Sequence, residues 1–348
     1  MALIETTEAG LYCPAADLYI DPWKPVERAV VTHAHSDHAR PGSRSYLAAR
    51  AGKTVLETRL GEDVPAEYVD YGETRTVNGV TVSLHPAGHI LGSAQVRIEH
   101  RGEVWVVSGD YKVAPDATCE AFEPVRCHTF ITESTFGLPI YRWPAQSEVL
   151  AQIHEWRLEN QQAGRAGVLY SYALGKAQRI LAGIDRSIGP VYCHGAVERL
   201  NEAYRAAGQD LPETANPVDA PKGTDWSNAL IIAPPSANGT PWLRRFRSVS
   251  TAFASGWMMV RGKRRRRAVD RGFVLSDHAD WPDLLEAIRA TGAERVLPTH
   301  GATRAIVRWL REQGWEAEPL ETRFAGEQDS EQDGEQDSAS VPEEADGA

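Results

Sequence analysis

Short apolar runs set off by Gly, Pro and Asp dominate the first 140 positions of the chain. Arg28–Thr32 (RAVVT), Val80–Leu84, Gln95–Ile98, Val104–Ser108 and Thr129–Thr132 have the length and β-branched content of strands. Those ending near Thr32, Ser108 and Thr132 run straight into polar, reactive residues, a common arrangement for ligand sites in layered α/β proteins. After Tyr141 the pattern changes. Ser147–Gln162 and Lys176–Ile188 carry helical spacing, with apolar strands at Gly167–Tyr170 and Ala229–Ala233. From Gly272 strand and helix alternate again through Phe273–Leu275, Pro282–Ala290, Arg295–Leu297 and Ala302–Gln313. This order predicts an outer domain over residues 141–268, inserted between two parts of one catalytic domain at 1–140 and 269–325.

Composition narrows the class. At 348 residues, 42% hydrophobic and 24% charged, the chain reads as a globular protein of about two domains. The first residues show neither a basic stretch nor an apolar core, so no secretory signal is predicted. No run approaches the roughly eighteen apolar residues of a membrane span. Cys13, Cys119, Cys127 and Cys193 are scattered, which fits a reducing cytoplasm better than a disulfide framework. The net charge of −11 is concentrated at one end, because residues 326–348 hold nine carboxylates and no Lys or Arg. With almost nothing apolar to bury and an EQD repeat, that tail is expected to be disordered and solubilising.

The chemistry concentrates in Val30–His38, VVTHAHSDH. Two valines and a threonine make a buried strand, and His33, His35, Asp37 and His38 then crowd into six positions. A turn cannot bury four such groups without a strong counter-charge, and metal cations supply one. An isolated histidine is more often a core or surface residue; four ligand-type residues in HxHxDH spacing are not.

This pattern resembles the signature of the metallo-β-lactamase superfamily. His89 in AGHILGS resembles its third motif and Asp110 in VVSGDYK its fourth. Asp21 in YIDPW resembles the supporting aspartate of the first motif, with Asp17 a nearby alternative. Glu133 in FITESTFG, His278 in VLSDHADW and His300 in VLPTHGAT are similar to the three extra motifs of the β-CASP nucleases. Within that branch, SYALGKAQRI (Ser171–Ile180) and AFASGWMMVRGK (Ala252–Lys263) resemble SNM1-like DNA exonucleases, above all those associated with DNA ligase. The likeness covers about residues 10–320 and implies an αββα sandwich with an inserted β-CASP α/β domain. It also implies two divalent metals: His33, His35 and His89 on one, Asp37, His38 and His300 on the other, Asp110 bridging. Nitrogen and oxygen donors without thiolate suit zinc, with manganese or iron as alternatives. In the mechanism so implied, which counts Asp37 among its catalytic residues, a metal-activated water attacks phosphorus. His278 protonates the leaving oxygen and Glu133 holds His278 in place.

Substrate contacts are expected elsewhere. Arg261, Lys263, Arg264, Arg265, Arg266 and Arg267 place six cations within seven residues, read as a phosphate-tracking strip beside the site rather than a merely solvated face. Trp257 is a candidate for base stacking, with a core role the alternative. Ser171 and Lys176 flank an expected helix start, an anion-binding arrangement. His85, His100, His128, His154 and His194 fall outside the motifs and are expected to be structural.

The expectation is therefore a cytoplasmic metal-dependent phosphodiesterase, a DNA exonuclease acting on single-stranded DNA. By resemblance its partners are a DNA ligase and a helicase, with no membrane. The alternative is a β-CASP RNase of the mRNA 3′-end-processing type, which His300 favours because eukaryotic SNM1 enzymes carry an apolar residue there. A glyoxalase II-like thioesterase explains HAHSDH but neither the insertion nor Glu133. A metal-dead binding module requires missing ligands, and none is missing.

Overall fold

The computed structural model describes residues 2–260 and 269–323. The acidic stretch at 326–348 lies outside the described residues.

Six short strands open the chain: β1 (Glu5–Thr6), β2 (Leu11–Cys13), β3 (Leu18–Ile20), β4 (Ala29–Val30), β5 (Tyr46–Ala49) and β6 (Ala66–Val69). They form one sheet in chain order, antiparallel to β3 and parallel from there on. Helix α1 (Lys53–Leu60) packs Val55 and Leu56 on its outer face. A second sheet begins with β7 (Thr74–Val77), β8 (Val80–Pro86), β9 (Ala94–His100), β10 (Glu103–Val107) and β11 (Thr129–Thr132).

Residues 146–273 build a third, all-parallel sheet. Its strands are β12 (Ala166–Tyr170), β13 (Val191–Cys193), β14 (Leu230–Ala233), β15 (Val249–Ala254) and β16 (Arg271–Phe273), in the order 13-14-12-15-16. Helices α2 (Gln146–Gln162), α3 (Lys176–Gly183) and α4 (Gly195–Ala206) cover it. Both of its faces are buried, which is why its strands read as continuous apolar runs. Leu169 and Ile232 face one layer, Val168, Tyr170 and Ile231 the other. The last strand falls at Arg271–Phe273 rather than the expected Phe273–Leu275, and three residues past the expected boundary at 268.

The chain then returns to the second sheet. Helix α5 (Trp281–Thr291), strand β17 (Arg295–Pro298), helix α6 (Thr303–Glu312) and strand β18 (Glu316–Ala317) complete the order 18-17-11-10-9-8-7. Strand alternation sorts the residues of this sheet. Trp105, Val107, Ile131 and Leu297 meet Leu18, Ile20 and Val30 of the first sheet, while Val104, Val106, Phe130 and Val296 meet Leu284, Ile288, Ile306 and Leu310 of α5 and α6. The layers thus run helix, sheet, sheet, helix, the expected αββα sandwich, with a third α/β sheet joined to it.

The helix expected over Lys176–Ile188 stops at Gly183. Ile184 is extended, and the Asp185 side chain accepts the Ser187 N–H to cap a separate 3-10 turn. No helix among the described residues is long and apolar enough to cross a membrane.

Candidate metal centre

The site forms where strand ends meet. β4 delivers Thr32 to His38, β8 and β9 flank His89, β10 delivers Asp110, β11 delivers Glu133, and β17 delivers His300. Asp110 stands at the centre. Its Oδ2 lies 3.6 Å from His33 Nε2, 3.4 Å from His38 Nε2 and 3.9 Å from His89 Nε2. Its Oδ1 lies 3.4 Å from His300 Nε2. His35 Nδ1 is 3.1 Å from His89 Nε2, and Asp37 Oδ2 is 3.6 Å from His38 Nε2.

Each imidazole is gripped at one nitrogen and turns the other inward. His38 Nδ1 meets Asp21 Oδ2 at 2.7 Å, and His33 Nδ1 meets Thr32 Oγ1 at 3.0 Å. His89 Nδ1 donates to the Asp277 carbonyl at 2.8 Å and His35 Nε2 to the Leu174 carbonyl at 3.3 Å. His300 Nδ1 meets Thr299 Oγ1 at 3.0 Å. Such outer partners fix tautomer and ring orientation in metal sites. His33 Nε2 and Asp110 Oδ1 are buried without a hydrogen-bond partner, which fits donors awaiting a cation. His33, His35, His89 and Asp110 bring ligand atoms within 4.8 Å of one another, so these groups are positioned to bind metal.

Electrostatics agree with that reading. Burial pushes His33, His35 and His89 below the usual imidazole range, leaving neutral lone pairs for a ligand role. Burial also opposes the charge on His38, but Asp37, Asp110 and Asp21 outweigh it and hold His38 well above that range. Burial works against the Asp110 carboxylate too, yet His38 and His300 hold it well below the ordinary value.

Beside this cluster, Glu133 Oε2 accepts His278 Nδ1–H at 2.8 Å. Glu133 is itself fixed by the Tyr111 N–H and the Thr135 hydroxyl, both at 2.7 Å. The His278 ring lies 4.7 Å from that of His89, centroid to centroid.

The structure therefore brings together His33, His35, Asp37, His38, His89, Asp110, His300, Glu133 and His278. It also decides between two aspartates. Asp21 is buried and holds Thr32 and His38, whereas Asp17 is exposed and pairs with Arg28. His300 has φ 20°, a strained backbone value.

Three expected nucleic-acid contacts need correction. Trp257 is only 4% exposed and packs on Phe136 and Tyr141, so the core role holds. Lys176 and Ser171 are both fully buried. Lys176 Nζ lies 3.0 Å from Asp277 Oδ1 and over the Tyr172 ring, and the Gly175 N–H at the start of α3 is taken by the Gln178 side chain. Arg261, Lys263, Arg264, Arg265, Arg266 and Arg267 lie outside the described residues. The motif-free histidines take local structural bonds: His128 accepts the Val104 N–H, His154 that of Asp185, and His194 that of Ala196.

Sequence reasoning missed Asp277 and Thr32. Asp277 stands inside the SDH triplet, where Ser and Asp suit a turn equally well, and only the burial of its partner reveals it.

No protein-family model matches the chain. A probable DNA ligase of Opitutus terrae is 33% identical over 312 residues, covering 88% of this chain and 30% of that protein. An RNase J-like protein of Methanocaldococcus jannaschii is 26% identical over 211 residues, 52% of this chain and 50% of that one. The Endoribonuclease YSH1 of Saccharomyces cerevisiae is 34% identical over 123 residues, 34% of this chain and 15% of it. The chain thus spans under a third of the ligase's length and half of the RNase J-like protein's. A protein of unknown function from Enterococcus faecalis V583 has a crystal structure similar at a TM-score of 0.53 and 13% identity, covering 78% of this chain and 74% of that one, a likeness of fold alone. With the layered sandwich, the joined α/β sheet and the histidines and aspartates gathered at the strand ends, the chain resembles the metallo-β-lactamase superfamily, in its β-CASP branch.

Proposed function

We propose that this chain is a two-metal nuclease, a DNA exonuclease of the ligase-associated kind acting on single-stranded DNA in the cytoplasm. The observation that carries this reading is the ring of five inward-facing imidazole nitrogens around Asp110, with the Glu133–His278 pair alongside. In this proposal the inserted domain runs from residue 141 through Phe273, the end of its last strand, and the residues on either side form the catalytic domain. His33, His35 and His89 would hold one metal, Asp37, His38 and His300 the second, and Asp110 would bridge them. Zinc suits these donors, with manganese or iron as alternatives.

Two divalent cations would supply Lewis acidity towards the phosphodiester and a water nucleophile at neutral pH. The chain's own residues do the rest. Asp21 and Thr32 orient His38 and His33, and Asp110 spans both halves of the donor set. Glu133 accepts the Nδ1–H of His278, so delivery of a proton to the departing sugar oxygen would fall to Nε2 of the imidazolium. The direction from DNA comes from the 312-residue match to a probable DNA ligase, most of whose length lies outside this chain. A ligase is the partner proposed on that ground, and a helicase is proposed from the sequence resemblance alone.

An RNase reading is favoured by one residue, His300, together with the endoribonuclease and RNase J-like relatives. Single-stranded DNA and RNA of one sequence, labelled at either end and with or without a 5′ phosphate, separate the two. The protein should degrade DNA progressively from one end, lose activity to a chelator and regain it with zinc or manganese. Faster cleavage of RNA would establish the second reading, and activity undiminished by chelation would sink both.

A further inference from the structure

Behind the metal centre lies a group of buried charges that the chemistry does not use. Lys176 and Arg179 lie on the first turn of α3, and both are at most 1% exposed. Lys176 pairs with Asp277 at 3.0 Å, and Arg179 with Asp116 on the loop that follows Asp110. Arg179 also donates to the Ser276 carbonyl at 2.7 Å and reaches the His89 carbonyl at 3.5 Å. Asp277 in turn accepts the His89 Nδ1–H on its main-chain oxygen and precedes His278. Gly175 has φ +85°, and a Cβ there would come within 2.3 Å of Ile90 Cγ2, so glycine lets α3 start against the His89 loop.

Burying two ion pairs is costly and gives little net stability against an apolar alternative. Their placement suggests another use. Every bond just described ends on the three-residue strap Ser276–His278, on the His89 turn or on the loop after Asp110. We propose that Lys176 and Arg179 are positioning residues for the metal centre: through Asp277, Ser276 and Asp116 they fix the His89 imidazole and the His278 strap. The third sheet, to which α3 belongs, is thereby tied to metal binding. The role in metal binding stands on the donor geometry; its consequence for catalysis rests on the nuclease reading above. Lys176 is thus kept from the strand it was expected to contact.

The test compares Lys176→Met, Lys176→Arg and the double variant Lys176→Met/Asp277→Asn. The single methionine leaves Asp277 buried and unpaired and is expected to unfold readily. The double variant removes both charges together and should fold with a melting temperature near that of the wild type. The readouts are Zn2+ affinity by calorimetry, the visible d–d spectrum of the Co2+-loaded protein, and kcat against KM on a 5′-phosphorylated strand. The expected result for the folded double variant is a shifted cobalt spectrum, metal affinity about 10–100-fold weaker and a lowered kcat with KM little changed. Lys176→Arg should recover part of the spectrum, since it restores the cation. A folded double variant with wild-type spectrum and metal affinity overturns the proposal. If KM for the phosphorylated strand alone then rises, Lys176 is a strand contact; if nothing changes, the pair is only structural. A wild-type protein that binds Zn2+ but cleaves no nucleic acid would defeat the nuclease reading and leave the metal readouts intact.

Discussion

Among single side chains, His278 separates proton transfer from metal binding. Its Nδ1 is committed to Glu133. His278→Ala should therefore retain full metal content while cleavage slows about 10²–10⁴-fold, or roughly 3–5.5 kcal/mol of barrier. The loss should shrink on a p-nitrophenyl phosphodiester, whose leaving oxygen departs without a proton. Equal losses on both substrates would mean that another group protonates the natural one. Lys112, two positions after Asp110, offers a test of burial instead. Burial, helped by the nearby Arg179, pushes its ammonium down to about 8. Above that pH the folded protein has lost a proton that the unfolded chain holds up to about 10.4. The group's contribution to stability thus improves as pH rises through that window. In urea titrations the stability of wild type relative to Lys112→Met should increase from pH 8 to 10; a flat difference would show that Lys112 stays charged in the fold. The histidines and aspartates clustered around Asp110 were legible in the sequence because HxHxDH and its companion motifs name them directly. Asp277 and Lys176 were not, because their meaning comes from burying a charge against a partner about a hundred positions away.

Of the strands and helices, the strands that end in chemistry were the readable ones, and their bounds held to within a few residues: Thr129–Thr132 is β11, and Val104–Ser108 is β10 shifted by one. Less legible were the brief strands β1 to β3 and helix α4, whose runs are too short or too mixed to rise above local noise. The over-long helix at 176–188 failed because helical spacing continues past a stop that Asp185 capping and the extended Ile184 impose. One contact between elements decides whether the strand ends converge. Gly109, after β10, has φ +57°, and a Cβ there would fall 2.6 Å from Thr32 Cβ. Thr32 holds both Asp21 and His33. Gly109→Ala should cost about 1–3 kcal/mol from the backbone strain alone, and more from the clash. It should also weaken metal binding, because the displaced Thr32 carries two outer partners with it. Thermal unfolding and metal titration of the variant check this, and wild-type values in both would mean that the β4 turn yields freely.

Across the protein as one body, the proposed substrate raises the question of how a chain of net charge −11 would hold a polyanion. Nine of its carboxylates sit beyond Gly326, so the remainder is close to neutral and local charge must do the work. The described residues remove three candidates: Ser171, Lys176 and Trp257 are buried. In the proposed reading, strand affinity would fall to cations such as Arg261 and Lys263–Arg267, which in sequence lie between the Gly256–Met259 turn packed on Phe136 and the strap carrying His278. Both flanks adjoin the active site, because Trp143, whose ring also meets Phe136, donates its indole N–H to the His278 carbonyl. Such a basic run should act through affinity and leave the chemistry untouched. Replacing Arg264, Arg265, Arg266 and Arg267 by glutamine should weaken single-strand binding, with kcat at saturation preserved. For every phosphate that the protein then leaves unneutralised, the slope of log K against log salt should flatten by about 0.7. Weaker binding with an unchanged slope would mean that the run shapes the protein locally without touching phosphate. An unchanged affinity would return it to a solvated face and leave the strand path to other cations.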